Sequence, residues 1–338
     1  MNRLMLNSVV RRFAAGAALV LYCAAAMPAI AAVEDDLPPH LAQLHNTGRY
    51  RELARALQSA VESQPQSAVL HYWLGRSHYE LRDYNRAESS LERATELIPN
   101  RSEYHDWLGK ASGRKAQQAN PFSALSLARK THRAFQTAVR LAPTNIEAQR
   151  DLIRYLLNAP GFLGGGEDQA LKQIQALSVV DAVDGMLARA EYYVSRKKLD
   201  QAAAEYDKVS RTDVRRIGVQ MEIAEFYRDR GDAVRMQAAV DAAAKLGPDD
   251  PRLEYYRGVA LVLAKQDPAA AERRLRAYLQ TVPDGSQVPR HSSAHEWLGK
   301  LYEAEGKRDQ AAAEYQSALS LDPRSEDTRK ALERLRKK

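Results

Sequence analysis

The sequence predicts an all-α fold, an α-solenoid of about eight helix-turn-helix units, and three observations carry that expectation. First, the pentapeptide His-x-Trp-Leu-Gly occurs three times, at His71–Gly75, His105–Gly109 and His295–Gly299. Second, two of the copies are followed by apolar residues and a proline at the same offsets. Ala87, Leu91, Ala94 and Pro99 follow Gly75, and Ala311, Tyr315, Ala318 and Pro323 follow Gly299. Third, the apolar residues fall at helical spacing between turn signals. Over 292–305 these are Trp297, Leu298, Leu301 and Tyr302; Gly306 breaks that helix, and 309–321 resumes the period until Asp322-Pro323 stops it. Such self-similarity marks an array in which each unit packs on its neighbours, so a length that suggests two domains is read as one elongated domain.

Taken in order, residues 1–31 read as an export signal. Arg3, Arg11 and Arg12 form a basic start, Phe13 to Ala26 is an uncharged, mostly apolar run, and Pro28-Ala29-Ile30-Ala31 offers an Ala-x-Ala cleavage site, so the mature chain is expected to begin near Ala32. An uncleaved anchor is the competing reading; Pro28 and the small-residue site argue against it. Arg11-Arg12-Phe13 departs from a twin-arginine signal in its flanks, and ordinary export fits better. Cys23, the single cysteine, follows bulky Tyr22 where a lipoprotein signal has a small residue. A mature chain without cysteine has no disulfide, thiol nucleophile or Cys-based metal site. The expected location is the periplasm, with the membrane met only transiently through the signal.

The repeating unit resembles the tetratricopeptide repeat, with a period of about 34 residues and the pattern Leu-Gly, Tyr, Ala, aromatic, Ala, Pro. The glycine-rich loop of the fourth unit resembles one of exported bacterial tetratricopeptide proteins. Pro65 and Pro99 lie 34 positions apart, and Pro143, Pro248, Pro283 and Pro323 extend the series with insertions. Units are expected at 34–67, 68–101, 102–145, 146–182, 183–216, 217–250, 251–291 and 292–325 within a solenoid spanning 32–338, and 326–338 forms a C-terminal capping helix. The resemblance implies a right-handed superhelix. In the third unit about ten extra residues near Lys115 to Ser126 predict a longer first helix and a loop at Ala119 to Phe122. In the fourth, Pro160, Gly161, Phe162, Leu163, Gly164, Gly165 and Gly166 form a turn that helix cannot accommodate. A phosphate-cradling role for it is disfavoured, because no Lys-Ser/Thr follows and Glu167-Asp168 open the next helix. A hinge or intramolecular packing is expected ahead of Phe162 and Leu163 docking on a partner.

Composition narrows the function. Lys and Arg number 50 against 43 Asp and Glu, a net charge of +7; without the three leader arginines it is +4, a mixed surface rather than a nucleic-acid footprint. The basic tail Arg334 to Lys338 is what a helix C-terminus favours. His71, His105 and His295 share one place in the unit, expected to face the packing interior as hydrogen-bonded residues rather than as metal ligands; His71 and His78 stand too far apart for one ion. No hydrolase elbow, zinc-protease or calcium-loop motif occurs. The chain is therefore expected not to be an enzyme and to need no metal or cofactor.

What the resemblance implies is a concave groove lined by the first helix of each unit. Placing the family's groove positions on this sequence selects Tyr72, Arg76 and Tyr79, then Asp106, Lys110 and Arg114, then Arg150 and Arg154, a basic stretch suited to an acidic peptide or a C-terminal carboxylate. Glu191, Met221, Glu225 and Arg228 follow as a mixed surface, and Tyr255, Val259 and Val262 as an apolar one. The asparagines of the family's carboxylate clamp are missing, so that activity is not carried over. The expected function is a periplasmic adaptor that holds a peptide segment of an envelope protein and supports complex assembly, without nucleic acid. The alternatives are a factor binding cell-wall or anionic polysaccharide, or a contact regulator of an envelope enzyme.

Overall fold

In the computed structural model the described residues are 37–282 and 289–337. The expected signal at 1–31 lies outside them, as does most of the polar stretch 284–291. Among the described residues there are seventeen α-helices, one 3-10 turn and no strand. They run as successive antiparallel pairs. These are α1 (Pro39–Asn46) and α2 (Tyr50–Ser63), α3 (Ala68–Glu80) and α4 (Tyr84–Leu97), α5 (Ser102–Ala116) and α6 (Pro121–Leu141), and α7 (Ile146–Asn158) and α8 (Glu167–Val180). After them come α9 (Ala182–Ser195) and α10 (Leu199–Ser210), α11 (Ile217–Asp229) and α12 (Ala233–Leu246), α13 (Arg252–Ala264) and α14 (Pro268–Thr281), and α15 (His291–Ala304) and α16 (Arg308–Leu321), closed by α17 (Glu326–Lys337). Each helix packs closely on the next, with α10 and α11 the exception, and the first helices of most adjacent pairs also touch. The described residues belong to one compact body.

The repeated pentapeptide explains how a pair closes. A Cβ added to Gly75 would stand 2.6 Å from Leu91 Cγ, to Gly109 2.5 Å from the Phe135 ring, and to Gly299 2.5 Å from the Tyr315 ring. The glycine lets the second helix of the pair press a large side chain against the backbone of the first. Those large residues are buried, as are the small Ala87, Ala138 and Ala318 that flank the same contact. The histidine of the motif joins one unit to the one before. His71 Nε2 lies 3.1 Å from the Pro65 carbonyl and His105 Nε2 2.8 Å from the Pro99 carbonyl. Gln149 and Arg329 repeat the contact, each donating at 2.6 Å to the proline carbonyl six residues back, Pro143 and Pro323. These histidines are half-buried, and their bond goes to a carbonyl in the turn just past the preceding helix. In the last pair Tyr278 takes the Pro289 carbonyl, and His295 bonds Glu314 at 2.6 Å instead.

Two insertions differ in how they are absorbed. The extra residues of the third unit lengthen both helices, the second far more than the first: α6 has 21 residues against 14 in α4, and α5 has 15 against 13 in α3. Asn120 caps α6 by accepting the Ser123 amide, and Pro121 fits its first turn. The 160–166 segment is a folded turn docked on α6. Tyr155 Oη lies 3.0 Å from the Ala128 carbonyl and 2.8 Å from that of Leu163. His132 stacks on Tyr155 at 4.9 Å and covers Gly164, whose φ of +89° suits glycine. The Gly165 and Gly166 amides donate to the carbonyls of Pro160 and Leu156, so they do not point at an anion.

Candidate functional site: the first-helix face

The residues that the sequence assigns to a groove fall into three groups. Tyr72, Asp106 and Tyr255 are core residues, 5%, 2% and 1% exposed. Tyr72 stacks on Tyr104 at 4.8 Å, which fixes α3 against α5 and keeps the ring from a partner. The sequence position is right but the register turns these three inward.

The second group is a ladder of ion pairs. Arg76 lies 4.2 Å over the Trp73 ring and 4.4 Å over Trp107, and Lys110 stands 4.6 Å over Trp107. Lys110 Nζ is also 2.8 Å from Asp106 and 3.1 Å from Asp151, and it bonds Glu147. Arg150 reaches Asp184 at 3.3 Å and Glu222 at 2.7 Å, and it bonds Glu191. Arg154 bonds Asp151 at 3.0 Å and Glu191 at 2.8 Å, and Arg216 bonds Asp184 at 2.5 Å. The ladder ties α5, α7, α9 and α11 together. It corrects the expectation of a free basic strip: Lys110 and Arg150 are only 15% and 12% exposed and already face carboxylates.

Burial and charge compete along it. Burial alone would lower the Lys110 ammonium, but Asp151, Asp106 and Glu147 outweigh it and hold it raised. Burial pushes Asp106 up to about 7, with Asp151 and Glu147 adding to the push and Lys110 opposing it. Burial would raise Glu191, but Arg150 and Arg154 keep it below the usual carboxylate range. The carboxylates of Asp106, Glu147 and Asp151 lie within 4.8 Å of one another, as metal ligands do, yet Lys110 occupies their centre as the cation.

The third group lines open space. Arg154 stands on the rim of a cavity of about 610 Å³ built from the first helices of the fourth to seventh pairs, α7, α9, α11 and α13, with Tyr206 of α10. Tyr206, Met221, Phe226 and Tyr256 make its floor, and Glu191, Glu222, Glu225 and Asp229 share the rim. Gly218 lies on its wall, and a Cβ there would meet nothing within 4 Å. Tyr79 and Arg114 line a second cavity of about 990 Å³, to which both the first three and the last three pairs contribute. Sequence reasoning missed the floor residues Tyr206, Phe226 and Tyr256. The signal was the adjacent aromatic pairs Phe226-Tyr227 and Tyr255-Tyr256: one ring of each pair serves the floor while its neighbour turns away.

Models of the tetratricopeptide repeat match residues 46–111 and 292–325. Among solved structures, the chain is similar to yeast Tom70 at 15% identity, over 89% of this chain and 61% of that one, with a TM-score of 0.59. It is also similar to a tetratricopeptide repeat protein from Parabacteroides merdae at 15% identity, over 83% and 99%, with a TM-score of 0.47. A thermophilic TPR protein in Thermus thermophilus matches at 20% identity, over 66% and 96%, with a TM-score of 0.45. No curated protein matches the sequence.

Proposed function

The chain is a tetratricopeptide-repeat protein, a protein-interaction scaffold, and from that premise we propose that it is a periplasmic adaptor that holds a peptide segment of an envelope protein and supports assembly of a complex. The observation that carries the reading is the cavity of about 610 Å³ across four successive first helices, with aromatic rings and Met221 below and charges of both signs above. An extended segment would place an apolar side chain on the floor and its polar backbone along the rim. This revises the ligand from an acidic peptide to one with an apolar anchor, because the cations of the ladder are already neutralised. The protein works by binding, without catalysis. The periplasmic location rests on residues 1–31, and sequencing the N-terminus of the cell-purified protein tests it: a chain starting at Met1 would overturn export with cleavage.

Gly218→Phe is the test of the groove. The added ring enters open space, so the fold is expected to hold, with an unchanged melting temperature. Partners captured in cells by a photocrosslinker at Arg154 should fall at least tenfold. Equal capture by the variant would remove this cavity from the binding surface. A peptide held on aromatic rings should also resist salt, whereas binding of an anionic polysaccharide should weaken steeply with it.

A further inference from the structure

We propose that Arg82, Arg114 and Arg290 form a binding site for a multiply charged anion of the phosphate class, which bridges the second and third units to the eighth. The three line the cavity of about 990 Å³, Arg82 and Arg114 from one side and Arg290 from the other. In the ladder Arg150, Arg154 and Arg216 each meet a carboxylate, but here the matching fails. Arg82 is exposed and makes no ion pair among the described residues, and Arg114 bonds only Tyr79 Oη and Gln117 Oε1, each at 3.3 Å. Arg290 has a single ion pair among the described residues, 3.7 Å from Asp322. The carboxylates on the same walls are engaged elsewhere: Glu52 with Arg49, Glu225 with the Tyr256 hydroxyl at 2.7 Å, and Glu80 also has a partner. Burial and then the neighbouring Arg82 lower the Arg290 guanidinium, with Arg114 adding to it and Asp322 opposing, as like charges facing one space require.

Two further features point into the same space. Arg290 is the residue before α15, no side chain caps that helix, and His291, Ser292 and Ser293 at its start line the cavity. The amide-rich end of a 14-residue helix therefore adds to the arginines. The turn that carries Arg82 is the one where other units place Gly48, Gly231 and Gly306 at φ of 69°, 70° and 75°; Arg82 adopts the same left-handed conformation at 59°, which favours glycine. A lone carboxylate satisfies one guanidinium, whereas a tetrahedral polyanion presents enough oxygens to meet several planar forks at once. Because the site draws on both ends of the solenoid, an occupant ties them together and stabilises the fold by mass action. This inference stands apart from the peptide groove, and neither depends on the other.

Titration calorimetry of the purified protein with inorganic pyrophosphate, at fixed ionic strength, tests the site. One saturable event is expected, with a rise in melting temperature. Arg82→Gly suits its backbone and so should fold at least as well as the parent, yet together with Arg290→Gln it should weaken pyrophosphate at least tenfold. Arg86→Gln, an exposed residue paired with Asp83, is the control and should bind as the parent does. Sedimentation with phosphatidylglycerol vesicles separates the sources: binding that pyrophosphate displaces makes the natural occupant a lipid headgroup, and no binding makes it a soluble phosphate. No heat above a chloride blank, or a double variant that binds like the parent, would overturn the proposal.

Discussion

The helix pairs that close over a glycine, the second, third, seventh and eighth, and the fourth to sixth pairs, which no repeat model matches, are held together by different physics. A glycine on the first helix, Gly75, Gly109 or Gly299 in the matched segments and Gly258 outside them, admits Leu91, Phe135, Tyr315 or Leu275 from the second, and the closure is steric. In the middle the corresponding place on α7 is Ile153, fully buried, and the units are instead joined across α7, α9 and α11 by Arg150 and Arg216 with Asp184, Glu191 and Glu222. A repeat written in glycine and aromatic residues is visible as a motif; one written in ion pairs between units has no fixed spelling, because either partner can be moved to the facing helix.

The sharpest way to break the comparison is to remove the hub of each part. Arg150→Ala leaves Asp184 with Arg216 alone, Glu191 with Arg154 alone and Glu222 without its cation, and stripping one partner from a buried cluster costs about 3–5 kcal/mol. Urea unfolding should show it as a large drop in midpoint, and as a biphasic transition if the middle opens first. A loss below about 1 kcal/mol would make the ladder ornamental. Next comes Gly299→Ala. The new methyl meets the ring of Tyr315, which is fully buried and hydrogen-bonds Glu303 at 3.1 Å, so it has nowhere to swing. Overpacking of this kind costs about 1–3 kcal/mol, and a neutral result by the same measurement would deny that steric closure holds the ends.

These differences explain what was legible in the sequence. The helix-pair class and the packing role of the motif followed from Gly75, Gly109 and Gly299, because close approach demands a residue without a side chain. The hydrogen-bonded histidines were legible too, although their proline-carbonyl partners were not. Tyr72, Asp106 and Tyr255 were placed on the groove because family positions were laid on a helix without its partner; whether a ring faces the cavity or the next helix is decided by packing between units. Lys110 and Arg150 looked like a free basic strip because their acids lie up to 72 residues away along the chain. The same distance hid the approach of Arg82 and Arg114 to Arg290.

The smallest effect is a separation by pH. Burial holds His45, His78 and His132 below their ordinary value of 6.5, so the folded protein resists protonating them. The unfolded chain then takes up more protons, and their contribution to stability is present above pH 6.5 and is lost as pH falls through it. All three sit in the first three units. The lowered carboxylates of the ladder, Glu147 and Glu191, keep their contribution until pH falls below their ordinary value of 4.5. Asp106 runs the other way. Its folded value of about 7 lies above 3.8, so it weakens the fold at pH 7 and the penalty is relieved as pH falls from there. Asp106→Asn keeps the shape, removes a buried charge and leaves Lys110 with Glu147 and Asp151. The variant should be as stable as the parent at pH 7 or slightly more so, and below pH 7 its stability should decline more steeply, since the histidine loss is no longer offset. Thermal melts of the two proteins across pH 4 to 8 measure this directly. Parallel curves would mean that Asp106 stays ionised throughout beside Lys110, and that the ammonium, rather than burial, sets its state.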